Sequence, residues 1–175
     1  VETIKDTDLV NFYTAMYHAF LGPTVYMDVD GKYMGLDRSV HQADGFTNYT
    51  SFSLWDTYRA LHPLFNILQP ERNQDMIQSM IAHHDQSVHG MLPIWSHYGN
   101  ENWCMIGYHS ASVIADAIVK GNADRFDAAH AIDASVETAK VRYFDGIGAY
   151  MDMGYVPEDV SGASVSKTLE YAYDD

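Results

Sequence analysis

From Ser51 to the end of the chain, apolar residues recur at helical spacing, and glycine or proline interrupts the pattern at short intervals. Such spacing puts one hydrophobic stripe on a helix, while glycine and proline end helices. Helices are predicted over residues 51–68, 70–84 with a stop at Gly90, 105–120, 124–144, a short segment before Gly154, and from Ser164 onward. Short connections favour antiparallel neighbours, so the sequence predicts an all-α architecture of packed helical hairpins. No internal boundary divides residues 1–175, which are treated as a single segment.

The part of the chain before Ser51 is less regular. Residues 6–21 predict an amphipathic helix that Gly22 and Pro23 end. In residues 25–35, two β-rich runs flank Asp30-Gly31, a dipeptide typical of the tight turn of a hairpin. The sequence therefore predicts a small β-hairpin near the N-terminus, followed by an irregular connection over residues 36–50.

Charge and composition argue against several functions. The formal net charge of −14 disfavours nucleic acids and anionic membrane surfaces, because both bind basic patches. No apolar run approaches the length of a membrane span, and a single Cys104 excludes an internal disulfide framework. The 13 Tyr and 3 Trp either fill the core or line a surface that stacks on a ring-shaped ligand. Composition leaves both uses open.

The predicted helix that starts near Ser53 carries the first candidate site, formed by Trp55, Asp56 and Arg59. Residues three apart are neighbours on a helix, so Asp56 and Arg59 are expected to lie side by side. An indole covers the C–H face of a sugar ring, and charged groups bond its hydroxyls. The alternative is an ordinary first helical turn in which Asp56 pairs with Arg59.

A second candidate site is the predicted loop over residues 95–103. It contains Trp95, His97, Glu101 and Trp103 together with further polar groups, as a ligand-binding wall would. Glu101 is either a general acid or an acceptor for a substrate hydroxyl. Alternatively, the two tryptophans fill a gap between helices and Glu101 caps the next one. Asp56 and Glu101 would then supply the paired carboxylates that glycoside hydrolysis needs.

The histidines do not predict a metal site. His83 and His84 are adjacent, and His89, His97 and His109 follow at irregular distances. Zinc sites on a helix use histidines four residues apart, which this set does not provide. We expect single hydrogen-bonding roles for these side chains, and the sequence assigns no metal ligand.

Five blocks of sequence resemble glycoside hydrolase family 92, the bacterial calcium-dependent α-mannosidases. They are TNYTSFSLWDTYR (47–59), LPIW (92–95), NENWCMIGYH (100–109), IADA (114–117) and SVSKTLEYAYDD (164–175). The blocks cover nearly the whole chain in the family's order. The resemblance implies an inverting, exo-acting enzyme that removes terminal α-linked mannose, with α-1,2 linkages favoured, from N-glycan or mannan chains. It also implies calcium as cofactor and a periplasmic or extracellular bacterial location.

The resemblance further implies an N-terminal β-sandwich followed by an (α/α)6 barrel, of which this chain is the N-terminal portion. The chain begins at Val1 without a Met and ends at Asp175 within a helical pattern, as expected for a segment. The family's acid, base and calcium ligands lie further along the barrel, so the segment alone is predicted to be inactive.

On this basis the predicted site changes its role. Asp56 matches a position that contacts mannose hydroxyls, with Trp55 and Arg59 beside it. The 95–103 segment becomes subsite wall, with His97 and Glu101 shaping linkage preference. Two alternatives remain: a non-catalytic helical module that binds glycan or protein, and another (α/α)6 glycosidase.

Overall fold

A computed structural model describes residues 5–175, so the start of the predicted segment at Val1 lies outside the described residues. Helices make up most of this range, and short strands form three small antiparallel sheets. The helices are α1 (Asp6–Ala19), α2 (Leu54–Thr57), α3 (Leu61–Leu68), α4 (Pro70–Gln86), α5 (Ser110–Val119), α6 (Ala128–Thr138), α7 (Ile147–Met153) and α8 (Ser164–Asp174). The strands are β1 (Thr24–Val25), β2 (Lys32–Met34), β3 (Val40–Gln42), β4 (Tyr49–Thr50), β5 (Phe52–Ser53), β6 (Trp95–His97) and β7 (Asn100–Glu101). The prediction of an all-α chain with one hairpin is corrected to a helix-rich segment with small antiparallel sheets.

The strands near the N-terminus pair differently from the prediction. Strand β2 pairs with β3 and β1 pairs with β4, so residues 25–35 do not form a hairpin across Asp30-Gly31. That dipeptide does make a tight turn, in which the Gly31 N–H donates to the Asp28 carbonyl at 2.9 Å. The Asp30 carboxylate holds the turn by accepting from Lys32. Residues 36–50 supply both partner strands, which corrects the predicted irregular connection.

The segment predicted as one helix over residues 51–68 is divided into β5, α2 and α3. Pro63 explains the division. Proline lacks an N–H and its ring clashes with the carbonyl four residues earlier, so it is tolerated only in the first turn of a helix. The chain accordingly turns at residues 58–60 and starts α3 at Leu61, two residues before the proline.

The main core lies between α3, α4, α5 and α6. Pro70 occupies the first turn of α4, as predicted. Small residues on α5 and α6 let these helices approach closely, and larger side chains from α3, α4 and β5 fill the remaining space. Core residues include Phe52, Leu54, Phe65, Met76, Ile77, Met80, Ile81, Leu92, Val113, Ile114, Ala117, Ala131 and Ala134. The start of α2 is therefore anchored by Leu54, which is 1% exposed.

Helices α5 and α6 are shorter than predicted. Met105 and Gly107 have positive φ angles of 68° and 81°, which a right-handed helix does not allow, so α5 starts only at Ser110. Helix α6 starts after Asp127, whose carboxylate accepts from the N–H groups of Ala129 and His130 and so caps the helix.

A second core fastens α7 and α8 to the rest of the molecule. It is built from Met91, Ile94, Tyr108, Ile147, Val156 and Tyr171. Tyr108 and Tyr171 stack with ring centroids 5.4 Å apart. Lys167 on α8 forms an ion pair with Asp145, which lies just before α7. Among residues 5–175, no helix combines the length and the apolar character required to cross a membrane.

Two buried histidines should make the stability of this fold depend on pH. Burial lowers the pKa of His62 to about 4, although the Asn73 side chain at 2.7 Å opposes the shift. Burial also lowers the pKa of His83 to about 3, with a smaller effect from His84. Both side chains are therefore neutral in the folded protein, whereas in the unfolded chain they take up protons near pH 6.5.

Because the unfolded state binds more protons, the stability from these two groups is complete above about pH 6.5, and it is lost as the pH falls to about 4 for His62 and about 3 for His83. For two such groups, the free energy of unfolding changes by at most about 2.7 kcal/mol per pH unit. Urea unfolding of the full-length protein over this pH range measures it. The variant His62→Gln should have a shallower slope than the wild type, and an equal slope would contradict the assignment.

Candidate functional site

Strand pairing brings the two predicted site segments together. Strand β5, which leads directly into α2, pairs with β6, and β6 pairs with β7. Ser53 lies opposite Trp95, and Phe52 lies opposite Ser96. The helix start that carries Trp55 and Asp56 and the segment over residues 95–103 therefore form one continuous structure.

Within α2, Asp56 is exposed and the Trp55 side chain is partly buried. The Ser53 hydroxyl donates to the Asp56 carboxylate and fixes its direction, while leaving other lone pairs free to accept. The indole N–H of Trp55 is buried without a hydrogen-bond partner, and so is the hydroxyl of Thr57. Unpaired buried polar groups are costly and rare, and they occur where a ligand or a further group completes the site. Asp56 thus offers an exposed hydrogen-bond acceptor, and the adjacent Trp55 offers an unpaired donor.

Arg59 does not pair with Asp56, which corrects the predicted interaction. Its guanidinium lies 4.8 Å from the Trp55 ring centroid and 4.7 Å from that of Tyr58. Its Nη2 donates to Glu170 on α8 at 3.3 Å, and its Nε donates to the Trp55 carbonyl at 3.2 Å. The break after α2 turns Arg59 away from the neighbouring position that an unbroken helix would give it. Arg59 therefore supports the indole and leaves Asp56 free of a cation.

A cluster of His109, Glu170 and Asp174 lies behind Arg59 and was not predicted from the sequence. His109 is 1% exposed and stacks on Tyr58 with ring centroids 4.0 Å apart. Its Nδ1 lies 2.8 Å from Asp174 Oδ1, and its Nε2 lies 3.2 Å from Glu170 Oε2. Together with the Arg59–Glu170 contact, which spans 111 residues of sequence, they tie the residues just after α2 to α8. Spacing along one helix gives no signal for a cluster of this kind.

The segment over residues 95–103 is a hairpin, whereas the sequence predicted a loop. Tyr98 and Gly99 form its turn with positive φ angles of 46° and 71°. The Trp95 indole N–H donates to His97 Nε2 at 3.0 Å, so these two predicted site residues lie together on β6. Trp103 instead packs on Phe144, with centroids 4.8 Å apart, and on His89. This position agrees with the alternative in which Trp103 fills a gap between elements.

Glu101 has a structural role in this hairpin. Its side chain is 4% exposed. Oε1 accepts from the backbone N–H groups of Trp95, Asn102 and Trp103, and Oε2 accepts from that of Ile94, at 2.8–3.0 Å. A carboxylate held by four amides has little capacity left for a substrate. The geometry therefore does not favour Glu101 as a general acid, as a substrate acceptor or as the partner of Asp56.

Replacing Glu101 with glutamine should destabilise the full-length protein by about 2–3 kcal/mol. The amide NH2 group would face backbone donors that the carboxylate now satisfies. Thermal unfolding measures this effect, with the exposed Asn100→Asp change as a control that should have little effect. A Glu101→Gln protein with unchanged stability and lost turnover would instead restore the catalytic assignment.

The described residues offer one group that meets the geometry of a metal site, and it does not fit calcium. His84, Asp85 and His130 place two imidazole nitrogens and one carboxylate within 4.8 Å of one another. Calcium takes six to eight oxygen ligands. Two imidazole nitrogens and one carboxylate do not provide this coordination.

The fold and the candidate site together define a helix-rich domain segment, in which an indole and a carboxylate lie beside a small sheet that fixes their position. The model of the glycosyl hydrolase family 92 catalytic domain matches residues 1–175. The chain belongs to this family. No match is found among curated proteins.

Solved structures agree with this assignment. The chain is 58% identical to the family GH92 α-mannosidase BT3965 from Bacteroides thetaiotaomicron, with a TM-score of 0.91. A structure of that protein in complex with mannoimidazole gives the same identity and TM-score. The family GH92 inverting mannosidase BT2199 from the same species is 35% identical, with a TM-score of 0.84. These matches cover 93–95% of this chain but only 21–23% of the matched chains.

Proposed function

We propose that this chain is the sugar-recognition portion of an inverting, exo-acting α-mannosidase that releases terminal mannose, with α-1,2 linkages favoured. The main support for this proposal is the β5–β6 pairing, which holds Trp55 and Asp56 beside the Trp95–His97 strand. The mannoimidazole complex of a protein 58% identical to this chain supports a mannose-shaped ligand.

The residues of this chain would bind and orient the terminal mannose. The Trp55 ring packs on a C–H face of the sugar, with Arg59 behind it. The exposed Asp56 carboxylate accepts hydrogen bonds from sugar hydroxyls, which are stronger than neutral ones because the acceptor is charged. Trp95 and His97 line the adjoining subsite. Positioning of this kind lowers the barrier by holding the anomeric carbon where the reacting groups are.

Hydrolysis itself would use a general acid and a general base from elsewhere in the protein. Inverting glycosidases place these carboxyl groups about 6.5–9.5 Å apart so that a water molecule fits between them. The amide contacts of Glu101 leave Asp56 without an obvious partner among residues 5–175 for that role. Calcium would likewise be held outside the described residues, and a periplasmic or extracellular location is part of the same proposal.

The proposed (α/α)6 barrel also accounts for uncovered apolar faces. Helix α1 has no buried residue and exposes Phe12, Tyr13 and Tyr17 by 42–65%. Helix α8 exposes Val165, Leu169 and Tyr173 by 64–71%. Helices of one barrel cover such faces by packing on their neighbours. We infer that further helices of the same domain pack there.

The test is hydrolysis of α-mannosides and α-glucosides by the full-length protein, followed by proton NMR of the first anomer released. We expect release of β-mannose only, loss of activity in EDTA and recovery with calcium. Initial release of α-mannose would contradict inversion. A preference for glucosides would indicate another (α/α)6 glycosidase. Glycan binding without any hydrolysis would favour a non-catalytic module.

A further inference from the structure

We propose that His84, Asp85 and His130 form a binding site for one divalent transition-metal ion of the Zn²⁺ type, linking α4 to α6. The site shares no residue with the proposed sugar site and does not depend on the proposed function. His84 and Asp85 lie in the last turn of α4, and His130 lies in the first turn of α6.

The candidate ligand atoms lie close together. His84 Nδ1 lies 2.9 Å from Asp85 Oδ1, and His130 Nε2 lies 2.9 Å and 3.1 Å from the two Asp85 oxygens. All three ligand atoms are within 4.8 Å of one another. Zn²⁺ binds nitrogen and carboxylate oxygen at about 2.0–2.2 Å, so its ligands are about 3.4 Å apart in a tetrahedral site. Side-chain shifts of less than an ångström therefore admit the ion.

A carboxylate behind His84 supports this assignment independently. His84 is 7% exposed, and its Nε2 makes no well-directed hydrogen bond although Glu137 Oε2 lies 3.0 Å away. Metal-bound histidines usually donate their other N–H to a carboxylate, which fixes the tautomer and strengthens the ligand. A metal at Nδ1 would place the His84 proton on Nε2, opposite Glu137.

The ligand types select the ion. Two imidazoles and one carboxylate suit Zn²⁺ and its neighbours, whereas Ca²⁺ and Mg²⁺ prefer oxygen ligands. The side chains of Asp85 and His130 are 47% and 42% exposed, so a water molecule has access to a fourth position. The net charge of −14 also favours a cation at the surface.

Spacing along one helix does not reveal this site, because His84 and His130 come from different helices. The two histidines are 46 positions apart and meet only because α4 and α6 pack together. His89 donates or accepts at the Tyr143 hydroxyl and His97 accepts from Trp95, as the expected hydrogen-bonding roles require.

The experiment uses the full-length protein, stripped of metal and then saturated with Ca²⁺ to occupy any oxygen-rich site. Zn²⁺ is titrated by calorimetry, and Co²⁺ is titrated by visible absorption, which reports ligand number and type. We expect His130→Ala to remove one Zn²⁺ per chain, with an affinity loss of more than about 100-fold, and Glu137→Gln to weaken the same site by about 10-fold.

The matched control is His41→Ala. His41 lies 3.0 Å from both oxygens of Asp37 and has comparable exposure, but within residues 5–175 no third ligand accompanies this pair. Its Zn²⁺ binding should equal that of the wild type. Zn²⁺ should also raise the Tm of the wild type and not that of His130→Ala. Equal Zn²⁺ stoichiometry and affinity in the wild type and His130→Ala, or no uptake by the wild type, would overturn the proposal and leave an ordinary His–Asp–His contact.

Discussion

Replacing Asp56 with alanine in the full-length protein is expected to lower kcat/KM for an α-mannoside by about 10- to 100-fold. Hydrogen bonds to a charged acceptor contribute about 1.5–3 kcal/mol, which corresponds to this change in rate. Asp56 is exposed, and its only described partner is the Ser53 hydroxyl, so its removal should not disturb the core.

Steady-state kinetics and thermal unfolding should be measured together. The Tm of the Asp56→Ala protein is expected to stay close to that of the wild type, which separates lost sugar contacts from lost folding. Asp133→Ala, an exposed carboxylate on α6, is the control and should retain full activity. An unchanged kcat/KM for Asp56→Ala would remove this residue from the site.

Replacing Asp174 with alanine is expected to have the largest effect on stability, about 3–5 kcal/mol. Its side chain is fully buried at 0% exposure. It accepts from the Tyr108 backbone N–H, the Ser112 hydroxyl and His109 Nδ1, each at 2.8 Å. Alanine leaves the buried Tyr108 N–H and His109 ring and the partly buried Ser112 hydroxyl without this acceptor, and each loss at a buried group costs about 1–3 kcal/mol.

Thermal unfolding of the full-length protein should show the Tm of Asp174→Ala lowered by several degrees. Asp174→Asn should fall between this variant and the wild type, because its amide oxygen still accepts. Asp159→Ala, on an exposed loop, is the control and should remain within about 0.5 kcal/mol of the wild type. Equal Tm values for Asp174→Ala and Asp159→Ala would show that α8 does not depend on this cluster.

The position of most helices follows from local signals in the sequence. Pro70 marks the start of α4, Gly22-Pro23 ends the region of α1, and the pattern from Ser164 gives α8. Local signals fail where pairing is decided at long range. Asp30-Gly31 forms a turn, yet β2 finds its partner in β3, because a two-residue turn signal does not determine which strands pair.

In the candidate site, too, local signals identify residues while long-range pairing decides where they lie. Trp55, Asp56, Trp95 and His97 are recognisable from residue type, because aromatic and charged groups in one short stretch are unusual. Their common location depends on the β5–β6 ladder, which residue types do not reveal. The cluster of His109, Glu170 and Asp174 is equally invisible in the sequence, since His109 precedes α5 and the two carboxylates lie on α8. Glu101 shows a different limit of residue types, because they predict a substrate contact or a catalytic carboxylate but do not reveal that the side chain binds four backbone amides.

The most direct test of the proposed mannose site is a crystal structure of the full-length protein with mannoimidazole bound. We predict that the inhibitor ring packs on Trp55, with its hydroxyls within about 3.2 Å of the Asp56 carboxylate, and that Glu101 keeps its backbone contacts. An inhibitor bound without contact to α2 or to the Trp95–His97 strand would contradict the assignment of this segment to sugar recognition.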